Sequence, residues 1–112
     1  SKLGFKKVWL IGFSFGAYIA YKVAAKFDLN GLVLVAPAVN NMNYIKDECA
    51  DTTVWIIHGS KDEITPLGDV VKLQKELALE DRLIVVEGAS HFFHGCLIEV
   101  MKNITTIISG VN

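Results

Sequence analysis

Four segments of the chain, residues 7–13, 31–36, 53–58 and 82–87, are rich in β-branched and aromatic residues and do not alternate between apolar and polar positions. Successive side chains on a strand point to opposite faces of the sheet, so a strand without such alternation is expected to be buried on both faces. Strands of this kind are typical of a parallel sheet that helices cover on both sides. This pattern constrains the fold more than any other feature of the sequence.

Segments with the apolar spacing of helices lie between these runs. Residues 15–27 are apolar almost all round, except for one narrow polar stripe formed by Tyr18, Lys22 and Lys26. A helix with so narrow a polar stripe is predicted to be mostly buried. Residues 37–51 have no clear period and are expected to form a loop, with a short helical turn near residues 44–49.

Capping residues predict where two further helices begin or end. Thr65 and Pro66 are typical of an N-cap and a first helical position, and the apolar face that follows them extends to about residue 79. A last helix is expected from about residue 95 to residue 109, ended by Gly110. The order of strands and helices predicts an α/β fold, with a parallel sheet of about four strands and helices on both faces.

Length, charge and cysteine content exclude several other classes of protein. The 112 residues, 52% of them hydrophobic, fit a single domain over residues 1–112 and exclude disorder. A formal net charge of −1 without a basic block speaks against a nucleic-acid partner, and the longest apolar runs are too short to cross a membrane. Cys49 and Cys96 are interpreted as ordinary thiols. Together with the absence of a secretory signal at the start of the sequence, they favour a cytoplasmic location.

The segment Gly12-Phe13-Ser14-Phe15-Gly16 joins the first predicted strand to the first predicted helix. G-x-S-x-G at such a junction is typical of a strained turn that projects a serine hydroxyl above the carboxyl edge of a sheet. Glycine at positions 12 and 16 is expected to remove steric collisions there, and Phe15 N–H would point towards a developing oxyanion. The alternative is a glycine-rich turn in which the serine is incidental.

Two further polar residues follow the third and fourth predicted strands. Asp62 lies on the loop after the third strand, where a carboxylate can orient an imidazole; its alternative role is a local turn hydrogen bond. His91 lies on the loop after the fourth strand, where a general base for Ser14 belongs. Serine, aspartate and histidine follow one another along the chain in the order expected of hydrolases that carry their nucleophile on a G-x-S-x-G turn. Glu63 is the nearest rival to Asp62, but it is expected to point into solvent.

Other histidines near these loops allow a different interpretation. His58 ends an apolar strand and is expected to form a hydrogen bond within the loop that carries Asp62. A zinc site could be drawn from His58, Asp62, His91 and His94, but it would leave the G-x-S-x-G turn unexplained. The sequence therefore predicts neither a metal nor an organic cofactor.

Apolar side chains beside these loops are the candidates for substrate binding. Phe13, Val39 and Phe92 are predicted to contact the substrate, and Met42 and Tyr44 are further candidates for one wall of the site. The segment between the second and third strands is too short for a cap of several helices, so the site is expected to be open.

Three segments resemble motifs of the α/β-hydrolase superfamily. GFSFGAYIAYKVA (residues 12–24) is similar to its nucleophile elbow, VWIIHGSKDEITP (54–66) to its acid loop and VVEGASHFFHG (85–95) to its histidine loop. The chain also resembles small bacterial α/β hydrolases close to dienelactone-hydrolase-like esterases, over about residues 5–108. The resemblance implies the roles of nucleophile, base, acid and oxyanion donor for Ser14, His91, Asp62 and Phe15 N–H.

The chain departs from the superfamily in one respect, because it corresponds only to the second half of that fold. The first half would supply a second oxyanion N–H and a neighbour for the first strand, whose edge is otherwise exposed. Lack of one oxyanion donor typically costs about 2.7–4 kcal/mol of barrier. Either the parent protein is longer, or a second copy pairs through the first strands as a homodimer.

The sequence therefore predicts a serine hydrolase that cleaves a small ester through an acyl-enzyme on Ser14. The ester substrate is its expected binding partner. The alternative hypothesis belongs to a different class of protein. It is a catalytically weak or silent module that keeps this half of the fold and pairs through its open sheet edge.

Overall fold

A computed structural model describes residues 7–110 of the chain, which form four strands and three helices. In chain order these are β1 (Trp9–Phe13), α1 (Phe15–Ala24), β2 (Gly31–Val35), β3 (Thr53–Gly59), α2 (Leu67–Glu76), β4 (Leu83–Val86) and α3 (Leu97–Ser109). The predicted alternation of strands and helices is confirmed. The longest helix, α3, has 13 residues, and no helix within residues 7–110 combines the length and the apolar character needed to span a membrane.

The four strands form one parallel sheet in the order β1-β2-β3-β4. In its register, Phe13 of β1 lies beside Val35 of β2, and Val35 lies beside Ile57 of β3. The end of β3 pairs in turn with the end of β4, with Gly59 beside Val86. The carboxyl ends of all four strands therefore lie along one edge of the sheet, where the predicted parallel fold puts its reactive groups.

Helices cover both faces of this sheet, which confirms the predicted architecture. Leu32 and Leu34 of β2 belong to the core beneath α1 and α2, whereas Val33 and Val35 belong to the core beneath α3. Every residue of β2 is buried, because the strand lies inside the sheet and both of its faces are covered. Burial of each such side chain stabilises the fold by about 1.5–3 kcal/mol, so this strand anchors both cores.

The limits of α2 differ from the predicted ones. Pro66, rather than Thr65, is the N-cap residue, because its ψ of 143° is extended and the first helical residue is Leu67. The helix ends at residue 76, short of the expected residue 79. Ala78 has a left-handed φ of 55°, and a right-handed helix cannot continue through that conformation.

The limits of α1 and α3 also differ slightly from prediction. α1 ends at Ala24 rather than Phe27, and Phe27 N–H bonds to the Ala24 carbonyl in a tighter final turn. α3 begins at Leu97 rather than at residue 95, because Gly95 has a left-handed φ of 76°. The predicted stop of α3 is confirmed, since Gly110 follows it with a left-handed φ of 72°.

The prediction that α1 is mostly buried is wrong. The inner side of the helix consists of small residues that let it lie close to the sheet: Ala17, Ala20 and Ala24. The opposite side of α1, continued by Phe27 just beyond the helix end, carries an apolar residue at every fourth position. These residues, here called the outer stripe, are 40–64% exposed: Phe15, Ile19, Val23 and Phe27. Within residues 7–110, α1 packs mainly against β1 and β2, so most of the outer stripe faces away from its neighbours.

β1 forms one edge of the sheet, and its outer backbone side has no strand partner within residues 7–110. On the sheet face that α3 covers, Ile11 and Phe13 are 46% and 41% exposed. α3 itself exposes Ile98 and Met101. An edge of this kind offers unpaired N–H and C=O groups together with apolar surface.

Candidate active site

Ser14 lies in the turn between β1 and α1, at the carboxyl edge of the sheet. Its backbone angles, φ 57° and ψ −121°, lie in a region that L-residues rarely adopt and that costs about 1–3 kcal/mol. Ser14 N–H donates to Val35 O at 2.9 Å. Ser14 O accepts from Ala17 N–H at 3.0 Å and from Ala38 N–H at 3.1 Å. These bonds to α1, β2 and the segment after β2 hold the strained turn in place.

The two glycines that flank this turn differ in the space around them. A Cβ on Gly12 would lie 2.8 Å from Ala17 Cα and nearer still to Gly16 O, so this position has no room for a side chain. A Cβ on Gly16 would meet nothing within 4 Å in the part of the chain that the structure describes. The predicted steric reason for Gly16 is therefore wrong within residues 7–110, because the space beside it is open.

Ser14, His91 and Asp62 form an unbroken chain of side-chain hydrogen bonds. Ser14 Oγ lies 3.0 Å from His91 Nε2, and His91 Nδ1 lies 2.7 Å from Asp62 Oδ2. Because an ionised carboxylate can only accept, Nδ1 carries the proton, and Nε2 presents its lone pair to the serine hydroxyl. His91 and Asp62 are buried, whereas Ser14 is half-buried. The structure thus brings the three predicted residues together in a triad-like arrangement.

Asp62 lies on the loop between β3 and α2 (residues 60–66, the acid loop), and its two carboxylate oxygens have separate partners. Oδ1 accepts from the backbone amides of Ile64 at 2.8 Å and Thr65 at 2.7 Å, while Oδ2 faces His91. Asp62 therefore makes both the local turn bond and the imidazole contact. Burial alone would raise the pKa of Asp62, but the hydrogen bonds from Thr65, His91 and Ile64 outweigh it and hold the pKa below its ordinary value.

His58, near the end of β3, is completely buried beside Asp62. Its Nε2–H donates to Thr65 O at 2.7 Å and lies 3.4 Å from Asp62 Oδ2, which confirms the predicted hydrogen bond to this loop. Because Nε2 carries the proton, Nδ1 of the neutral ring is unprotonated, and it has no partner within residues 7–110. Burial lowers the pKa of His58, although the bond to Thr65 opposes this shift, so the imidazole is neutral at neutral pH.

Glu63 is open to solvent as predicted, but it also makes a contact that the prediction did not include. Glu63 is exposed, yet its Oε1 accepts a hydrogen bond from the backbone N–H of His91 at 2.9 Å. Hydrogen bonds from its own backbone amide and from that of His91 lower the pKa of the Glu63 carboxyl. Sequence reasoning missed this contact, and its one signal in the sequence is that Glu63 directly follows Asp62.

The side chains around Asp62 do not match the zinc alternative. No group of three His, Cys, Asp or Glu side chains within residues 7–110 has the geometry of a metal site. His58 and His91 instead contact Asp62 through hydrogen bonds. His94 is exposed on the loop between β4 and α3 (residues 87–96, the histidine loop).

Phe13 and Phe92 flank the imidazole of His91. The Phe13 ring centroid lies 5.3 Å from that of His91 and 5.8 Å from that of Phe92, and Phe92 meets His91 edge-on at 5.0 Å. Because Phe13 and Phe92 are both exposed, they form an open apolar surface beside the imidazole, here called the phenylalanine wall. Val39 and Met42 are half-buried and pack against the core beneath α1 and α2.

Residues 37–51 form neither a helix nor a strand and are held against the core by tyrosines. The Tyr44 hydroxyl donates to Ala38 O at 2.8 Å, and the Tyr21 hydroxyl donates to a second carbonyl of this segment at 2.6 Å. Burial raises the pKa of both phenols far above their ordinary value. Cys49 Sγ donates to Tyr21 O at 3.3 Å, and burial raises the pKa of this thiol as well. The segment therefore contains no helical cap, as its length predicts.

Phe15 is the first residue of α1 and directly follows Ser14. The first N–H groups of a helix have no intrahelical acceptor, and the helix dipole makes this end partly positive. Phe15 N–H therefore lies next to the serine without a bond inside the helix, at the position where the sequence predicts an oxyanion donor.

Comparisons with solved structures relate this fold to known proteins. The chain is similar to a protein of unknown function from Agrobacterium tumefaciens, with a TM-score of 0.80 and 26% identity, over 95% of this chain and 53% of that one. It is similar to an alpha-beta serine hydrolase homologue from Coxiella burnetii, with a TM-score of 0.72 and 37% identity, over 86% and 46% of the two chains. A third similar structure is a serine hydrolase without a lid from Xanthomonas campestris, with a TM-score of 0.67 and 31% identity, over 84% and 43%.

The chain thus spans about half of the length of the structures that it matches. Its parallel sheet and three helices correspond to about half of an α/β-hydrolase chain, which confirms the predicted fold. The comparison with curated proteins gave no match. The sequence model of the dienelactone hydrolase family matches residues 1–99, so the chain belongs to that family.

Proposed function

We propose that this chain carries the nucleophile, general base and acid of a serine hydrolase that cleaves small esters. The observation that supports this function is the hydrogen-bonded series from Ser14 through His91 to Asp62, with distances of 3.0 Å and 2.7 Å. Acyl transfer through a covalent intermediate requires a nucleophile, a base and an orienting acid within this reach of one another. Membership of the dienelactone hydrolase family supports hydrolysis in general, without specifying the ester.

In this mechanism Ser14 Oγ attacks the ester carbonyl carbon while His91 Nε2 takes the hydroxyl proton. The tetrahedral intermediate collapses when its bond to the leaving alkoxide breaks, and His91 returns the proton to that alkoxide. Water then attacks the acyl-serine by the same route, which releases the acid and restores Ser14. Asp62 accepts the hydrogen bond from Nδ1–H throughout, so it holds the tautomer and stabilises the imidazolium.

Phe15 N–H supplies one hydrogen bond to the oxyanion of this intermediate, because it lies beside Ser14 at the start of α1. An oxyanion hole with a single donor is expected to give a slow enzyme. Lack of the second donor raises the activation barrier by about 2.7–4 kcal/mol, which lowers the rate by about 10²–10³. In our proposal the second donor comes from polypeptide that packs along β1.

The free edge of β1 supports this source of the second donor. Apolar side chains are exposed on both sides of it, with Ile11 and Phe13 on one face of the sheet and the outer stripe of α1 on the other. Polypeptide that covers this region therefore adds a strand to β1 and apolar contacts to both faces. Because the chain spans about half of the structures that it matches, the occupant we propose is a further polypeptide segment of about its own length.

A second candidate function is a catalytically weak module that pairs through β1, which the same exposed edge favours. Sedimentation of the chain, with its esterase rate measured at several concentrations, separates the possible occupants of the edge. A monomer with a low rate supports a missing segment, whereas a dimer whose rate per chain rises with concentration supports a second copy. A monomer as fast as ordinary esterases would contradict the need for any occupant.

Labelling with a fluorophosphonate probe tests the proposed nucleophile, because the probe reacts with activated serines. The wild-type chain and Ser109→Ala should be labelled, since Ser109 lies at the far end of α3, where its hydroxyl donates to Thr106 O. Ser14→Ala should not be labelled and should not hydrolyse p-nitrophenyl acetate. Failure of the wild-type chain to label over long incubation would overturn the proposed function.

A further inference from the structure

The acid loop and the histidine loop are joined by contacts from four consecutive residues, 60–63. The first two contacts are Ser60 Oγ with Gly88 N–H at 2.7 Å and Lys61 N–H with Ala89 O at 3.0 Å. The other two both reach His91: Asp62 Oδ2 binds its Nδ1 at 2.7 Å, and Glu63 Oε1 binds its backbone N–H at 2.9 Å. Adjacent carboxylates thus hold one histidine at two separate points, the ring and the main chain.

We infer that Glu63 is a positioning residue for His91, and that it fixes the main chain of the histidine at the distance from Ser14 that proton transfer needs. This inference rests on the proposed function, because the distance matters only if His91 transfers a proton. Glu63 acts through His91 and touches neither Ser14 nor the reacting atoms of the ester.

The local structure explains why His91 needs a second anchor. The histidine loop contains no helix or strand, so no ladder of backbone hydrogen bonds sets the position of its residues. Phe93, two residues further along, has a left-handed φ of 56°, which makes the path of this loop irregular. Asp62, Ser14 and the phenylalanine wall all contact the ring of His91, but none of these contacts holds its main chain. A bond at the backbone amide does hold it, and a misplacement of about 1 Å at a reacting group can cost about 10² in rate.

The chemistry of the contact suits an exposed anchor. A carboxylate forms a charge-assisted hydrogen bond that is shorter and stronger than a neutral one, which offsets the entropy lost when a flexible surface side chain is ordered. Glu63 is exposed, so replacing it disturbs no buried core. Glutamine has the same length and keeps an oxygen that can accept from His91 N–H, whereas methionine has nearly the same length and lacks such an oxygen.

Steady-state kinetics on p-nitrophenyl acetate with the full chain test the inference through this matched pair. Glu63→Met should lower kcat about tenfold with KM within about twofold, because the base is misplaced while substrate contacts remain. Glu63→Gln should restore kcat to within about threefold of the wild-type value. Glu80→Met is the control, since Glu80 is exposed at the amino end of β4, on the opposite edge of the sheet, and should leave both constants unchanged.

Hydrogen exchange of the His91 amide, followed by NMR, tests the contact without turnover. Exchange should be about tenfold faster in Glu63→Met than in the wild-type chain or Glu63→Gln. The inference is overturned if Glu63→Met keeps the wild-type kcat and amide protection, if Glu63→Gln loses as much as Glu63→Met, or if Glu63→Met unfolds. If the wild-type chain never reacts with the fluorophosphonate probe at Ser14, the proposed function is wrong. The hydrogen-exchange experiment does not depend on that outcome, because it tests only the contact between Glu63 and the His91 amide.

Discussion

Asp62 and His91 lie 29 positions apart in the sequence, yet their side chains meet through a 2.7 Å hydrogen bond that is almost wholly shielded from solvent. The second oxygen of the carboxylate is held at the same time by the amides of Ile64 and Thr65. This double engagement separates two functions of one side chain. One oxygen fixes the acid loop, and the other sets the tautomer of the imidazole that faces Ser14.

Asp62→Asn should separate these two functions. The asparagine oxygen can still accept from the backbone amides, but its NH₂ group cannot accept from His91 Nδ1–H, so the imidazole is driven towards the wrong tautomer. The rate of fluorophosphonate labelling at Ser14 should fall by about 10³–10⁴ while the chain stays folded. Asp69→Asn, an exposed acid in the first turn of α2, should label at the wild-type rate. Labelling of Asp62→Asn within tenfold of wild type would contradict the assigned role.

Mild acid should destabilise the chain through His58. The folded-state pKa of His58 lies below its ordinary value of 6.5, so just below that pH the unfolded chain binds a proton that the folded chain does not. The stability contributed by the neutral ring is complete above pH 6.5 and is lost as the pH falls. Urea unfolding at about pH 7.5 and about pH 5.5 should show this loss in the wild-type chain and in His94→Gln. His58→Gln should lose less between the two values, and an equal loss in all three chains would contradict the prediction.

Stronger acid should add a second loss of stability through Asp62. Its pKa is held below the ordinary value of 3.8, so the stability contributed by the carboxylate is complete above pH 3.8 and is lost as the pH falls below it. Unfolding followed by circular dichroism should place this second step below the one due to His58. Asp62→Asn should lack it, whereas Asp69→Asn should retain it.

Alanine at the two glycines of the elbow should have opposite effects. Gly12→Ala forces a Cβ against the backbone of α1 and should destabilise the chain by about 1–3 kcal/mol, with slower labelling of Ser14. Gly16→Ala meets open space in the described part of the chain and replaces a helical glycine, so it should stabilise the chain by about 0.5–1 kcal/mol. Urea unfolding measures both changes. A destabilising Gly16→Ala would contradict the open space beside this position.

The phenylalanine wall should favour esters with longer acyl chains. Phe92→Ala removes apolar surface beside His91 and should raise KM for p-nitrophenyl hexanoate about tenfold, with a smaller change for the acetate. Phe27→Ala, which removes an exposed ring from the outer stripe, is the matched control and should change KM for neither ester. Equal effects of Phe92→Ala on both esters would contradict a role in acyl binding.

Much of the fold and the triad-like arrangement could be predicted because each depends on local sequence. β2 is apolar on both faces because it lies inside the sheet, and Ser14 follows β1 with the glycine that its turn needs. Parallel strands then bring the loops that carry Asp62 and His91 to the same edge, so their meeting follows from topology.

Other features depend on spatial neighbours that periodicity does not report. The sequence shows that α1 is rich in apolar residues, but it does not show which of them another part of the molecule covers. The direction of Glu63 depends on a backbone amide 28 residues away, at His91, which no local pattern encodes. Thr65 is a residue type that favours the N-cap position, but Pro66 has an extended ψ of 143°, so the helix starts one residue later and Pro66 is the N-cap residue.

The open side of β1 also governs how the purified chain behaves in concentrated solution. Within residues 7–110 the outer amides and carbonyls of β1 have no strand partner, and such an edge next to Ile11 and Phe13 is a template on which strands from other molecules can grow. The net charge of −1 provides little electrostatic repulsion between molecules to oppose such growth. A lysine in place of Ile11 would act as a gatekeeper against such growth and leave the triad-like arrangement at the end of the strand in place.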